Sequence, residues 1–377
     1  MKDTMICTVG ASTIGNIKRN ELLNALYEKE KYEEIAKNFL NQPGQPQDIQ
    51  LLGAEINSVA SIVDLGHIDE TKNIYFLHSQ TPEGHSMAKI LKYYFTNSPS
   101  LNFKNVQTIE IEGLSDSNKE DFKRKGLKNL VITMSRISRN HYAKTIINAT
   151  GGYKAQIAFA LALGQGMQIP VYYRYEKFPS VIELPPLPLT LDFQLYLNHR
   201  KIFDIIQDTE EISGFTLFSD VESIYNALED KVKLLFEIEK MENKKYITIN
   251  AMGLTFIESA KTYYKMQKKD ITLKPRQNKD IQFLSSESEK NSLGLIKKYR
   301  IQEILNQVPY IELARVRKYS KIEINAGVVV DTLDKDLKVS IAKTEGVIRF
   351  LIETTATTPE ELERAKNELQ EYLNNKL

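Results

Sequence analysis

Three short loops carry residue types that could hold a phosphate. Thr8-Val-Gly-Ala-Ser-Thr13 follows an apolar run, and its small residues would let backbone amides approach an anion while Ser12 and Thr13 add hydroxyl donors. His78-Ser-Gln-Thr-Pro-Glu-Gly84 again joins hydroxyls to a helix start. Asn148-Ala-Thr-Gly-Gly-Tyr-Lys154 follows a third apolar run, so a Gly-Gly turn, the unpaired amides of a helix N-terminus and one lysine converge. Neither G-x-G-x-x-G nor a Walker P-loop occurs, which disfavours NAD, FAD and ATP.

A second set lies near the C-terminus, where the five histidines, all within the first 199 residues, cannot contribute. Arg315, Arg317, Tyr319 and Lys321 sit on and before one β-like run, with Lys338 and Lys343 on the next. Alternation along strands lets Arg315 and Arg317 share one face, and Tyr319, Lys321 and Glu323 share one. A basic face with an aromatic suits RNA phosphate and base stacking, whereas scattered charge on a solvated sheet is the plain alternative. Asp331, Asp334, Asp336 and Lys338 loosely suggest a metal-dependent nuclease, although Asp-Lys-Asp between two strands is also good turn chemistry.

These residues need elements to position them. Thr4–Val9, Asn73–His78, Val106–Glu112, Leu130–Met134, Thr145–Asn148 and Pro170–Tyr173 read as strands, and Lys18–Leu40, Gly84–Thr96 and Tyr153–Leu163 as helices. Such interleaving predicts a largely parallel sheet covered on both faces, with the loops after its strands along one edge. Pro185, Pro186 and Pro188 predict a connector and a domain boundary. Residues 190–265 read as mostly helical, and the segment from Leu234 to Ile257 as helix, polar turn, strand and helix, the order of a winged helix. After a polar stretch that includes Lys274–Lys279, a helix over Ser292–Asn306 and strands at Tyr319–Ile324, Gly327–Asp331, Leu337–Ala342 and Gly346–Glu353 predict a small α+β domain. Thr358-Pro-Glu-Glu opens its last helix as a capped N-terminus.

The chain has 377 residues, 42% of them apolar and 26% charged, which is ordinary for folded protein. Its formal charge of +1 announces no global attraction to nucleic acid or membrane. One cysteine, Cys7, excludes an intramolecular disulfide, and the absence of a spanning apolar run leads us to expect a cytoplasmic protein without a membrane partner.

Ile6-Cys-Thr-Val-Gly-Ala-Ser-Thr13, Thr81-Pro-Glu-Gly84, Phe122–Leu130 and Asn148–Ala155 together resemble the CARF family, the CRISPR-associated Rossmann-fold domains, near the branch that includes ring nucleases. That resemblance implies an α/β Rossmann-like sensor over 1–182, a homodimer, and a cyclic oligoadenylate, most simply cyclic tetra-adenylate, as activator rather than cofactor. It implies ligand contacts from Gly10, Ala11, Ser12, Thr13, Thr81, Gly84, Thr150, Gly151, Gly152 and Lys154. Ser12 and Lys154 either bind the ring or also help to cleave it without metal. Arg136-Ile-Ser-Arg-Asn-His141 has the spacing of HEPN ribonucleases but falls inside the sensor, where it reads as a chance match; Arg136 and His141 stay candidates to face the ligand.

Tyr319-Ser-Lys-Ile-Glu-Ile324 and Leu337–Ala356 are similar to RelE/ParE-type toxins. This implies a winged helix over 190–265 and a RelE-like domain over 270–377 that cuts mRNA on the ribosome without metal, using Arg315, Arg317, Tyr319, Lys321, Lys338 and Lys343. Glu323 stands where the family has a second lysine. The alternatives are the metal-dependent nuclease and a non-catalytic winged-helix regulator.

Overall fold

The computed structural model describes residues 1–175, 178–187, 191–241, 243–266, 272–284, 290–320, 327–333 and 335–377. Lys321, Glu323, Asp334 and Pro188 lie outside them. The chain divides into one unit of Met1–Leu191 with Asn250–Ser259, and another of Asp192–Ile249 with Ala260–Leu377. The segment expected as a separate domain over 190–265 is divided between them, its residues 190–191 and 250–259 going to the first unit and the rest to the second.

The first unit runs β1 (Thr4–Thr8), α1 (Ser12–Arg19), α2 (Glu21–Glu28), α3 (Tyr32–Leu40), α4 (Gly53–Asp64), β2 (Asn73–Ser79), α5 (Pro82–Asn97), β3 (Asn105–Ile111), α6 (Lys119–Asp121), α7 (Leu127–Asn140), β4 (Thr145–Asn148), α8 (Lys154–Met167), β5 (Val171–Tyr173) and β6 (Ile182–Leu184). Its six strands lie in the order β3-β2-β1-β4-β5-β6, all parallel except β6. Every residue of β1, β2 and β4 is buried, as continuous apolar runs covered on both faces must be. This is a mixed α/β unit with a parallel sheet compatible with a Rossmann-like domain. From β1 the chain steps outward to β2 and β3, then returns to the other side of β1 with β4. The strand order switches between β1 and β4, and the C-terminal ends of strands at such a switch are the usual ligand position in these sheets.

Some expectations fail for identifiable reasons. Leu130–Met134 is no strand: Leu127, Leu130, Val131, Met134 and Ile137 recur at helical spacing and are the buried stripe of α7. Lys18–Leu40 breaks into three helices, with Asn20 capping α2 through the Leu23 amide. Helix α4 escapes periodicity because nine of its twelve residues are buried, leaving no polar face to mark it.

The second unit runs α9 (Gln194–Asn198), α10 (Arg200–Ser213), β7 (Thr216–Leu217), α11 (Phe218–Asn226), α12 (Asp230–Lys233), β8 (Phe236–Met241) and β9 (Lys244–Ile249). Helix α13 (Ala251–Met266) follows, then β10 (Gln282–Leu284), α14 (Lys290–Lys298), α15 (Ile301–Asn306), β11 (Ile311–Ser320), β12 (Gly327–Leu333), β13 (Asp336–Lys343), β14 (Gly346–Thr354) and α16 (Pro359–Lys376). The helix expected from Leu234 is the hairpin strand β8, whose Phe-Glu-Ile-Glu alternation has the period of a strand. Strands β7, β9 and β8 form one sheet in that order. The other is β10-β11-β14-β13-β12, antiparallel except for β10 beside β11. Its Ala314, Val316, Val339, Ile341, Phe350 and Ile352 pack with apolar residues of α14, α15 and α16 into one core. Helix α16 has the expected start: Thr358 accepts from the Glu361 amide at 3.2 Å and Glu361 accepts from the Thr358 amide at 3.2 Å.

Candidate functional site

The loops after β1 and β4 meet. Thr8 Oγ1 donates to Gly151 O at 2.5 Å, and a Cβ on Gly10 would stand 2.6 Å from the Gly152 amide nitrogen. A Cβ on Gly151 would meet Thr8 O at 2.8 Å and Gly10 N at 2.9 Å, so these glycines permit two backbones to touch. Between the loops sits Glu55 of α4, only 2% exposed. Its carboxylate accepts from Gly10 N at 2.8 Å and from Thr13 Oγ1 at 2.9 Å. Burial pushes the Glu55 carboxyl upward, and these two donors partly offset that.

Gly10 and Thr13 therefore spend donors on a carboxylate within the chain. Ser12 and Lys154, at the first turns of α1 and α8, are exposed on the same sheet edge, beside helix amides that lack intrahelical partners. Ala11 is exposed next to Ser12. Thr150 Oγ1 donates to Asn148 Oδ1 at 2.7 Å and accepts from the Arg174 amide at 3.1 Å, linking the Gly-Gly loop to the end of β5. Gly152 adopts φ of 101°, which a side chain would strain. Thr81 caps α5 by accepting from the Gly84 amide at 3.1 Å, and a Cβ on Gly84 would stand 2.5 Å from Ser79 O. Both hold α5 against the end of β2. His141 is at the opposite end of the sheet, before β4, where its Nε2 pairs with the Tyr75 hydroxyl at 2.9 Å.

Sequence reasoning missed Glu55 and the cleft beside it. About 530 Å³ of space opens between α1 and α4, lined by Ser12 and Arg19 from α1, Asn57 from α4, and Arg174. Burial lowers the Arg174 guanidinium, and Asp48 opposes that shift. The one available signal was a glutamate in an otherwise apolar or small-residue stretch. A larger groove of about 690 Å³ between α3 and α5 lies away from the loops; its Lys37 and Lys89 cover the Tyr93 and Tyr32 rings, and Glu30, Glu33 and Glu34 offset their charge.

In the second unit, Arg315 and Arg317 are exposed on the face of β11 opposite the core residues Ala314 and Val316, with a bulge after Val316. Register sets Arg315 beside Leu351 and Leu351 beside Lys338 across three strands. Lys338 nevertheless ion-pairs with Asp208 of α10 at 2.9 Å. Lys343 donates to the carbonyl of Leu377 at 2.5 Å and lies 4.9 Å from the Tyr299 ring centre. Neither lysine joins the two arginines. Tyr319 pairs by backbone with Ile348.

Nearby, α10, β12, α13 and α16 enclose a polar cluster the sequence reading did not see. Arg200 donates to Thr332 Oγ1 at 2.7 Å and to Glu363 Oε2 at 2.8 Å, and lies 3.5 Å from Asp204. Lys261 approaches Asp331 at 3.5 Å. Burial raises Asp204 to about 7 against the pull of Arg200. Burial would raise Asp331 as well, but Lys261, Lys366 and Arg200 outweigh it and hold that carboxyl well below its usual range.

The first unit is thus an open, largely parallel α/β sheet compatible with a Rossmann-like domain. Residues 50–187 match the family model described as CRISPR-associated protein (Cas_APE2256), which supports a CRISPR-associated protein. No curated protein matches the chain.

Proposed function

We propose that the first unit binds a cyclic oligoadenylate, most simply cyclic tetra-adenylate, and that the second is an mRNA-cutting effector switched by it. The observation that carries this reading is the meeting of the β1 and β4 loops at the sheet's switch point, within a chain whose residues 50–187 match a CRISPR-associated family. Ser12 and Lys154 flank that point and supply a hydroxyl and a cation to a phosphodiester. A homodimer would pair two such edges around a two-fold symmetric ring.

For the effector, the antiparallel β11–β14 sheet packed against α14, α15 and α16 supports the RelE-like reading. Arg315 and Arg317 form the cationic face. Lys338 acts instead as a structural partner of Asp208. The β7-β9-β8 sheet of the middle segment is compatible with a winged helix, but α12, where a recognition helix would come, is a single turn of four residues. So short an element offers little to a major groove, which favours a connecting role over a DNA-binding one. Asp331 and Lys338, half of the alternative metal-nuclease set, are each engaged by partners from other helices.

The test is mRNA cleavage in a translating extract with and without cyclic tetra-adenylate, repeated in EDTA on naked RNA. Ring-dependent cutting only with ribosomes, abolished by Arg315→Ala with Arg317→Ala at unchanged stability, is the expected result. Metal-dependent cutting of free nucleic acid would replace the effector assignment, and ring binding without cutting would leave a sensor or regulator.

A further inference from the structure

The cleft beside the loops is braced by hydrogen bonds within the chain. On one wall, Ser12, Asn16 and Arg19 are spaced along one face of α1. On the other, Asn57 Nδ2 donates to Pro46 O at 2.5 Å and Ile49 O at 3.0 Å, while Asn16 Nδ2 donates to Gln50 O at 3.0 Å. These bonds pin residues 46–50 across the cleft. Arg174 closes its end, fixed by Nη1 donating to Asn57 O at 3.0 Å and Nε to Phe178 O at 3.3 Å. Side chains of Arg19, Gln47 and Gln50 make no hydrogen bond or ion pair among the described residues.

The lining is mostly polar, with Gly53 and Ala54 as its apolar part, and combines two guanidiniums, two uncommitted carboxamides and the carboxylate of Asp48. Guanidiniums present planar donor pairs to phosphate. Carboxamides match the paired donor and acceptor on an adenine edge. A carboxylate accepts but does not donate, so it welcomes the exocyclic amine of adenine and repels the carbonyl that hypoxanthine carries at the same position. About 530 Å³ is also within the range of small-ligand sites.

We propose that this cleft holds one adenylate unit of the activator ring, its phosphate between Arg19 and Arg174 and the amino edge of its base toward Asp48. The inference rests on the ring-sensor reading and extends it: Ser12, shared by loop and cleft, leads the ring from the strand switch into the groove between α1 and α4. Base identity is then read by residues 47–50, a segment outside the three phosphate loops.

The test measures binding of cyclic tetra-adenylate, its tetra-inosine counterpart and AMP to the full chain. Arg19→Gln is expected to weaken the ring about tenfold, as removal of one charge-assisted bond does, at unchanged melting temperature. Asp48→Asn is expected to narrow the preference for adenine over inosine. Ring binding indifferent to both substitutions overturns the cleft assignment and leaves the sensor reading standing. An unsubstituted chain that binds no ring overturns both. Binding of AMP as tight as the ring's, with the same dependence on Arg19, makes the occupant a free mononucleotide and also overturns the proposal.

Discussion

Glu55 in the first unit and Asp204 in the second are both buried carboxylates raised by burial, yet their surroundings differ in kind. Glu55 is held by one backbone amide and one hydroxyl, with no ion pair among the described residues. Asp204 stands with Arg200, Thr332 and Glu363, beside Asp331 and Lys261. The first arrangement fixes the shape of a loop whose remaining surface faces a cleft. The second closes on itself and joins helices to a sheet edge. Chemistry-bearing residue types thus border an open cleft in one place and form a closed joint in the other, and the difference is exposure: the cleft keeps exposed donors such as Arg19, whereas the unbonded Arg200 Nη1 of the joint is buried.

Breaking the joint has the largest expected effect. Arg200→Met removes the guanidinium from Glu363, which keeps Lys366, and from Asp204 and Thr332, and should cost about 3–5 kcal/mol in denaturant unfolding of the full chain. A loss below about 1 kcal/mol would mean the cluster is more hydrated than its 4% exposure of Arg200 implies. Gly151→Ala should come next. Its Cβ would meet Glu55 Oε1 at 2.5 Å as well as two backbones, for an expected cost of about 1–3 kcal/mol together with weaker ring binding. Normal ring affinity in that variant would detach the Gly-Gly loop from the ligand.

A third comparison, spread over a pH range, separates the carboxylates. Asp204 holds its proton in the fold to about pH 7, whereas an unfolded aspartate releases it near pH 4. The folded state therefore binds more protons in this interval, and its contribution to stability falls as pH rises from about 4 to about 7, by at most about 1.4 kcal/mol per unit. Asp204→Asn should flatten that slope. Asp331 and Glu363, both held low, act only below this interval, where acid removes the stability they give.

The sheet of the first unit was legible because β1, β2 and β4 are short apolar runs followed by glycine and hydroxyl residues. Helix α7 was misread from a local apolar run, although its stripe at three- and four-residue spacing was present. Helix α4, and with it Glu55, was hidden because a helix buried on nearly every side has no periodicity to show. The cleft was illegible for another reason: α1, the stretch from residue 46 into α4, and Arg174 are far apart in sequence, and only the fold brings them together. Arg315 and Arg317 followed from strand alternation. The pairing of Lys338 with Asp208 did not, because it depends on a helix 130 residues earlier.

One feature of the chain's division bears on how the protein is made. The first unit includes Asn250–Ser259, where Glu258 pairs with Arg139 of α7 and where Ser259 lies against Gly166 of α8, a Cβ on which would meet it at 2.1 Å. During synthesis the sheet and its loops can assemble as soon as β6 emerges, but those two contacts must wait until the ribosome has passed residue 259. A fragment ending at the proline-rich segment would leave Arg139 without Glu258, so expression boundaries for an isolated first unit need to carry residues 250–259 as well rather than stop where the prolines begin.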